Sequence, residues 1–129
     1  MLRLRSQELM IELTDTDVLD EYTVLRHQFL DGVPKRFDRI NQLIQELSQV
    51  DPEESYSVLA SLHYEVHKLT GASGSYGYTD IEGLARSLEE TIFQHLNEQL
   101  MPCTKNLESY VEYITLINQT YTQCKDLNS

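Results

Sequence analysis

The chain has 129 residues, of which 40% are hydrophobic and 24% are charged, a composition typical of one globular domain with its own core. Its 21 acidic residues outnumber its 10 basic residues and give a net charge of -11. Nucleic acids and anionic membranes recruit proteins through basic surfaces, so this charge argues against both as partners.

The termini and the cysteines favour a cytoplasmic protein. No apolar run is long enough to cross a bilayer. Glu8 and Glu12 interrupt the apolar residues near the N-terminus, so we do not expect a secretory signal there. Cys103 and Cys124 are too few and too far apart for a disulfide framework or a metal site. We expect both to be reduced thiols.

Apolar residues recur at helical spacing along most of the chain. We expect Gly32 to break the first helical pattern and Pro34 to open the next helix, because proline suits a first helical turn. The expected core positions before and after this break are Val18, Tyr22, Leu25 and Phe29, and then Val33, Phe37, Ile40, Ile44 and Leu47.

Capping patterns predict where the next two helices begin. Asp51 precedes a proline and has Glu54 three residues later, as in a capping box. Thr79 and Glu82 form a second capping box, and Gly77 before them suits a helix end. The residues expected to face inward on the last three helices are Val58, Leu59, Leu62, Val66, Leu69 and Tyr76; Ile81, Leu84, Ala85, Leu88, Ile92 and Leu96; and Leu107, Tyr110, Ile114, Ile117, Tyr121 and Cys124.

Four long amphipathic helices with short connections predict an all-α fold. We expect an antiparallel up-down four-helix bundle with an additional N-terminal helical segment. Residues 1–16 are expected to form an N-terminal arm, and residues 17–129 the bundle domain. Leu9, Ile11 and Leu13 alternate as in a strand, but a single strand has no partner, so we expect this arm to be helical or irregular.

The helix after Asp51 carries two interior glycines that bundle packing does not require. Gly71 and Gly74 each cost about 0.8–1 kcal/mol relative to alanine in a helix. His67 lies roughly 130° around this helix from the middle of the apolar stripe, so its ring is expected to reach solvent. The residues expected on the face of His67 are Ala60, His63, Tyr64, Thr70, Gly71 and Gly74.

Three interpretations of His67 compete. An ordinary solvated histidine is the simplest. A metal site is disfavoured, because the zincin helix needs a glutamate directly after its first histidine and Tyr64 follows His63 here. The Glu-x-x-His pattern of di-iron bundles is also absent, so no metal site is expected. The third interpretation is a nucleophile, since a neutral imidazole can accept a phosphoryl group that a partner delivers.

The segment from His67 to Gly77 resembles the phosphoacceptor signature of histidine-containing phosphotransfer (HPt) domains of multistep phosphorelays. That pattern is roughly His, any residue, Leu, Lys, Gly, two small residues, two variable residues, an apolar residue and Gly. The resemblance covers about residues 29–96, including a Leu-Glu pair on the following helix. The matching positions of the signature are His67, Leu69, Gly71, Ala72, Ser73, Tyr76 and Gly77.

The resemblance implies a role for each residue of the candidate site. His67 would be the phosphoacceptor, and Glu89 would hydrogen-bond the other imidazole nitrogen. The family usually has lysine where Thr70 stands, so Thr70 and Lys68 are the expected neighbours of the phosphoryl group. The residues expected to face a docking partner are His63, Tyr64, Gly71 and Gly74.

The resemblance also implies a phosphoryl carrier rather than an enzyme. Its partners would be response-regulator receiver domains, a hybrid sensor histidine kinase, or both, and the chain itself would be a monomer. Mg²⁺ and the catalytic groups would lie on the receiver, so no cofactor is expected here, and no Walker or Gly-x-Gly-x-x-Gly spacing predicts a nucleotide site. The alternative is a non-catalytic acidic helical bundle that binds other proteins and in which His67 has no chemistry.

Overall fold

The computed structural model describes the backbone of residues 2–99 and 102–128 and the side chains of residues 20–99 and 102–127. This part of the chain forms four α-helices and no strand. Helix α1 packs against α2 and α4, and α3 packs against the same two helices. The predicted all-α four-helix bundle is confirmed at this level. The helices are α1 (Leu2–Leu47), α2 (Pro52–Ser75), α3 (Thr79–Asn97) and α4 (Thr104–Asn128).

The core is built mainly from the predicted apolar stripes. In α1 the stripe from Val33 to Leu47 is buried, and Phe29 is buried before it. The rest of the first stripe differs from prediction, because Tyr22 and Leu25 are exposed, and the side chain of Val18 lies outside the described residues. The buried positions on the other helices are Leu59, Leu62, Val66 and Leu69; Ile81, Ala85, Leu88 and Ile92; and Tyr110, Ile114, Ile117 and Tyr121.

Helix α1 does not break where the sequence predicts. It runs through Gly32, and Pro34 lies inside it rather than in a first turn. Proline has no N–H, so the carbonyl of Leu30, four residues earlier, loses its helical partner. The hydroxyl of Tyr121 on α4 donates to this carbonyl oxygen at 2.9 Å in a buried contact. A neighbouring helix therefore satisfies the group that the proline leaves unpaired, and α1 continues.

The predicted N-terminal arm is part of the same helix. The backbone of residues 2–16 belongs to α1, so the secondary structure shows no division between residues 16 and 17. The alternation of Leu9, Ile11 and Leu13 does not form a strand. The side chains of this segment lie outside the described residues, and the boundary between an arm and a domain stays a prediction.

The two predicted capping boxes are not formed. Asp51 is the N-cap residue of α2 and is followed by a proline as predicted, but its side chain makes no capping hydrogen bond. Helix α3 begins one residue earlier than the capping box requires, so Tyr78 is its N-cap residue and Thr79 is already helical. The carboxylate of Glu82 instead accepts a hydrogen bond from Arg86 at 2.8 Å.

A tight turn joins α2 to α3 and fixes how the two helices face each other. Gly77 has a φ of 81°, a left-handed conformation that glycine adopts without a Cβ penalty. The N–H of Tyr78 donates to the carbonyl of Ser73 at 2.9 Å, and the N–H of Gly77 to that of Gly74 at 3.2 Å. These are the two hydrogen bonds of a Schellman motif. The predicted helix end at Gly77 is confirmed.

An aromatic cluster from α1 covers this turn. The ring of Phe29 lies 5.6 Å from the rings of both Tyr76 and Tyr78. Tyr22 contacts Tyr76 at 6.2 Å, and its hydroxyl donates to the last carbonyl of α2. The guanidinium of Arg26 lies 4.7 Å from the centre of the Tyr78 ring. The cluster thus holds α1 against the connection that sets the register between α2 and α3.

Candidate functional site

Helix α2 presents His67 on its outer face. Val66 and Leu69, in the apolar stripe of α2, are fully buried, whereas the side chain of His67 is 63% exposed. A Cβ placed on Gly71, one turn further along, would meet no atom within 4 Å. The predicted exposure of the ring is confirmed, and open space lies beside it.

A carboxylate from α3 holds the ring of His67. Oε2 of Glu89 lies 2.6 Å from Nδ1 of His67, and the Glu89 side chain is only 18% exposed. A carboxylate can only accept hydrogen bonds, so Nδ1 carries the proton and donates it. Nε2 then has the free lone pair, which makes it the nucleophilic nitrogen of the ring. The structure thus brings together the two residues that the family resemblance paired.

His63 forms a second imidazole beside the first. Its Nε2 lies 3.9 Å from the same Oε2 of Glu89, and its ring lies nearly parallel to that of His67 at 6.2 Å between centres. His63 also contacts the ring of Phe93, at 5.5 Å between ring centres. Burial lowers the pKa of His63 from its ordinary value; Glu89 opposes this shift and His67 adds to it. His63 therefore favours the neutral form.

An open groove of about 600 Å³ runs between α2 and α3 beside His67. Two large aromatic side chains, Tyr64 and Phe93, are 59% and 51% exposed in this α2–α3 groove. Such exposed aromatic residues, with a polar rim around them, are typical of protein-binding surfaces. The residues that line it are His63, Tyr64, His67, Glu89, Glu90, Phe93, Gln94, Asn97 and Glu98.

Lys68 is expected near a phosphoryl group on His67, but its ammonium lies elsewhere on the helix surface. Its Nζ lies 3.1 Å from a carboxylate oxygen of Glu65 and 4.6 Å from the centre of the Tyr64 ring. Both partners lie three or four residues back on the same helix, a spacing that brings side chains together. These contacts hold the ammonium on another part of the helix surface.

Thr70 also differs from its expected role. It is buried, with 4% exposure, and its hydroxyl donates to the carbonyl of Val66 at 3.0 Å. Serine and threonine often bond back to the carbonyl four residues earlier in a helix. The hydroxyl proton is therefore used inside α2 and is not directed toward a phosphoryl group on His67.

The two glycines of α2 have different surroundings. Gly71 faces open space, as a docking surface requires. At Gly74, a Cβ would lie 2.8 Å from Cδ of Glu82 on α3. Gly74 therefore makes room for a side chain of this protein, and the expectation that it faces a partner stays a prediction.

One member of the site, Phe93, was not singled out in the sequence, and neither was the link between His63 and Glu89. Phe93 lies four residues after Glu89 on α3, so the helical period places both on one face. An exposed aromatic residue one turn from the candidate carboxylate is the signal that could have found it. The link between His63 and Glu89 depends on the register between α2 and α3, for which the sequence has no local signal.

Comparison with known proteins identifies the family. Residues 24–125 match the family model of the Hpt domain, which covers most of the chain. The chain therefore belongs to the Hpt domain family. Hpt domains take part in phosphotransfer in phosphorelays, where they are phosphoryl carriers rather than catalysts and interact with receiver domains and kinases. No curated protein and no solved structure matched the chain.

None of the described helices is long and apolar enough to cross a membrane. Among the described side chains, no group of three or more His, Cys, Asp or Glu residues is arranged to hold a metal ion. Cys103 and Cys124 form no disulfide in this part of the chain.

Proposed function

We propose that this chain carries a phosphoryl group on Nε2 of His67 and passes it between aspartyl-phosphate receiver domains of a phosphorelay. The observation that carries the proposal is the pairing of an exposed imidazole with a largely buried carboxylate, at 2.6 Å between Nδ1 of His67 and Oε2 of Glu89. This pairing leaves Nε2 free and accessible, and membership of the Hpt domain family supports its use as a phosphoacceptor.

The transfer step is a displacement at phosphorus. The lone pair of Nε2 on His67 attacks the phosphorus of the receiver's aspartyl phosphate, an N–P bond forms, and the acyl P–O bond breaks. The receiver's aspartate leaves as a carboxylate. Glu89 keeps Nδ1 protonated and stabilises the positive charge that the ring gains as the N–P bond forms. The same displacement in reverse then transfers the phosphoryl group from His67 to the aspartate of a second receiver.

The receiver would supply what this chain does not. Phosphoryl transfer depends mostly on positioning and charge stabilisation, and Mg²⁺ can provide the latter from the partner. The open space at Gly71 lets the receiver's loops approach the ring, and the α2–α3 groove offers Tyr64 and Phe93 as contacts. A hybrid sensor histidine kinase could supply the phosphoryl group through its own receiver domain.

Several wider expectations belong to the same proposal. We propose a cytoplasmic monomer with no resident cofactor, no nucleic-acid partner and no membrane partner, in keeping with its net charge of -11. The short connections between consecutive helices support an antiparallel up-down arrangement of the bundle.

The test is phosphotransfer from a panel of phosphorylated receiver domains. We expect at least one receiver to label the wild-type chain with an acid-labile, alkali-stable phosphate, and His67→Gln to remain unlabelled. His27→Gln is the matched control, because His27 is exposed on α1 and makes no part of the site. Labelling of His67→Gln would assign the phosphoacceptor to another residue, and no labelling by any receiver would favour the non-catalytic interaction module.

A further inference from the structure

Phosphorylation of His67 would add negative charge to a site that is already acidic. A phosphoryl group brings roughly -1.5 to -2 charges near neutral pH. It would arrive beside the carboxylate of Glu89, in a groove that Glu90 and Glu98 also line. The neighbouring cation, Lys68, is held by Glu65 at 3.1 Å. An additional positive charge close to His67 would therefore stabilise the phosphorylated form.

His63 is the residue placed to supply that charge. Its ring lies 6.2 Å from that of His67, centre to centre, and Nε2 lies 3.9 Å from Oε2 of Glu89. Its side chain is 24% exposed, so protons can reach it, and contact with Phe93 keeps the ring in place. Histidine is the residue type whose charge changes most easily near neutral pH.

We propose, on the basis of the function proposed above, that His63 is a further positioning residue of the phosphoryl site, which takes up a proton from solvent when His67 is phosphorylated. The protonated ring of His63 then forms an ion pair with Oε2 of Glu89, 3.9 Å from its Nε2, while the same oxygen accepts a hydrogen bond from Nδ1 of His67. The new cation offsets the charge of the phosphoryl group and of Glu89, and it is released when the phosphoryl group leaves.

The direction of this coupling follows from the charges around His63. Its titratable neighbours are His67 on α2 and Glu89 on α3, and Glu90 and Glu98 line the same groove. In the unphosphorylated chain, burial and His67 lower the pKa of His63 more than Glu89 raises it, so the ring has a proton to gain. A phosphoryl group on His67 places an anionic neighbour beside His63 and raises this pKa. Lower pH therefore favours the phosphorylated chain.

The first test measures the titration of His63 directly. The full chain is phosphorylated with phosphoramidate or with a receiver from the panel, ³¹P NMR reports the phosphohistidine, and the ring proton signals of each histidine are followed against pH. We expect the titration midpoint of His63 to rise by at least about one pH unit on phosphorylation. His27, on the exposed surface of α1, is the internal control and should move much less.

Two failures are distinguishable in this test. A phosphohistidine signal with an unmoved or lowered His63 midpoint overturns the inference and leaves the proposed function standing. No signal with phosphoramidate and with every receiver overturns the proposed function, and the inference fails with it.

The second test separates charge from packing. The equilibrium constant for transfer from the receiver to this chain is measured between about pH 5 and 8 for the wild type, His63→Gln and His63→Lys. We expect the ratio of the wild-type constant to the His63→Gln constant to fall about tenfold as pH rises, since one unit of pKa shift is a tenfold change. His63→Lys should keep the acid-pH advantage across the range. A ratio that does not change with pH assigns His63 a purely structural role.

Discussion

The hydroxyl of Tyr121 on α4 donates to the carbonyl oxygen of Leu30 on α1 at 2.9 Å, although 91 positions separate them in the chain. This carbonyl is available because Pro34 has no N–H to offer it. The contact therefore explains how α1 continues past a proline, and it ties the last helix to the first.

Removal of this hydroxyl should destabilise the bundle in a way that depends on the proline. In Tyr121→Phe the Leu30 carbonyl stays buried without a partner, which should cost about 1–3 kcal/mol in the free energy of unfolding. In a Pro34→Ala background the N–H of residue 34 can donate to the Leu30 carbonyl in place of the Tyr121 hydroxyl. Tyr121→Phe should then cost well under half as much. Denaturant unfolding of the four proteins in this double-mutant cycle measures the difference. Equal costs in both backgrounds would contradict the assignment.

Loss of the Glu89 carboxylate should slow transfer without unfolding the chain. Glu89→Ala removes the acceptor that orients His67, so we expect a several-fold slower transfer, equivalent to about 1–2 kcal/mol. Glu89→Gln should have a smaller effect, because its amide oxygen can still accept from Nδ1. The measurement is the single-turnover rate from a phosphorylated receiver.

Glu90→Ala is the matched control for that experiment. Glu90 is the next residue of α3 and lines the same groove, yet it makes no hydrogen bond to His67. An equal effect of Glu90→Ala and Glu89→Ala would assign the loss to the general charge of the groove rather than to orientation of the ring.

Substitution of Gly71 should change stability and transfer in opposite directions. Gly71→Ala should raise the free energy of unfolding by up to about 1 kcal/mol, because alanine is the better helix former and nothing lies within 4 Å. Gly71→Leu should be nearly as well tolerated by the fold. Both should impair transfer, leucine far more than alanine, because the side chain fills the space through which a receiver approaches His67.

Gly83→Ala separates the two effects at Gly71. Gly83 is also an exposed helical glycine with open space around it, but it lies on α3, outside the α2–α3 groove. We expect a similar gain in a thermal melt and an unchanged transfer rate. If Gly71→Leu unfolds the chain while its folded fraction transfers normally, Gly71 serves packing and not docking.

The unphosphorylated chain should lose stability in mild acid partly through His63. The folded state lowers the pKa of this ring, mainly by burial, whereas the same ring in the unfolded chain has its ordinary pKa of about 6.5. The unfolded state therefore binds the proton first, and the contribution of His63 to stability is present above this pH and is lost as pH falls through it. His63→Gln should show a flatter dependence of the unfolding midpoint on pH. A steeper dependence would contradict the direction of the pKa shift.

Local sequence patterns predicted the parts of the site that one helix determines. The exposure of His67 follows from the helical period, and the end of α2 follows from Gly77 and its left-handed φ. The position of Lys68 was predictable in principle, because Glu65 lies three residues before it, at salt-bridge spacing. The resemblance, with its lysine near the phosphoryl group, predicted a different position for Lys68.

Contacts between helices account for what the sequence left open. A proline normally ends a helix, and only a hydroxyl from α4 shows why α1 does not end at Pro34. The distance from Glu89 to His63, and the fit of Glu82 against Gly74, depend on the register that the α2–α3 turn imposes. Such contacts join residues with no fixed spacing in the sequence.

The hydrogen bond between His67 and Glu89 has a chemical consequence for the product. Because Nδ1 is engaged by Glu89, a phosphoryl group can be added only at Nε2. Every phosphorylated molecule should therefore carry the same regioisomer, tele-phosphohistidine. An antibody selective for tele-phosphohistidine would then detect the phosphorylated chain, and an antibody selective for pros-phosphohistidine would not. A single side chain on α3 would thus decide which chemical mark a cell could display on this protein.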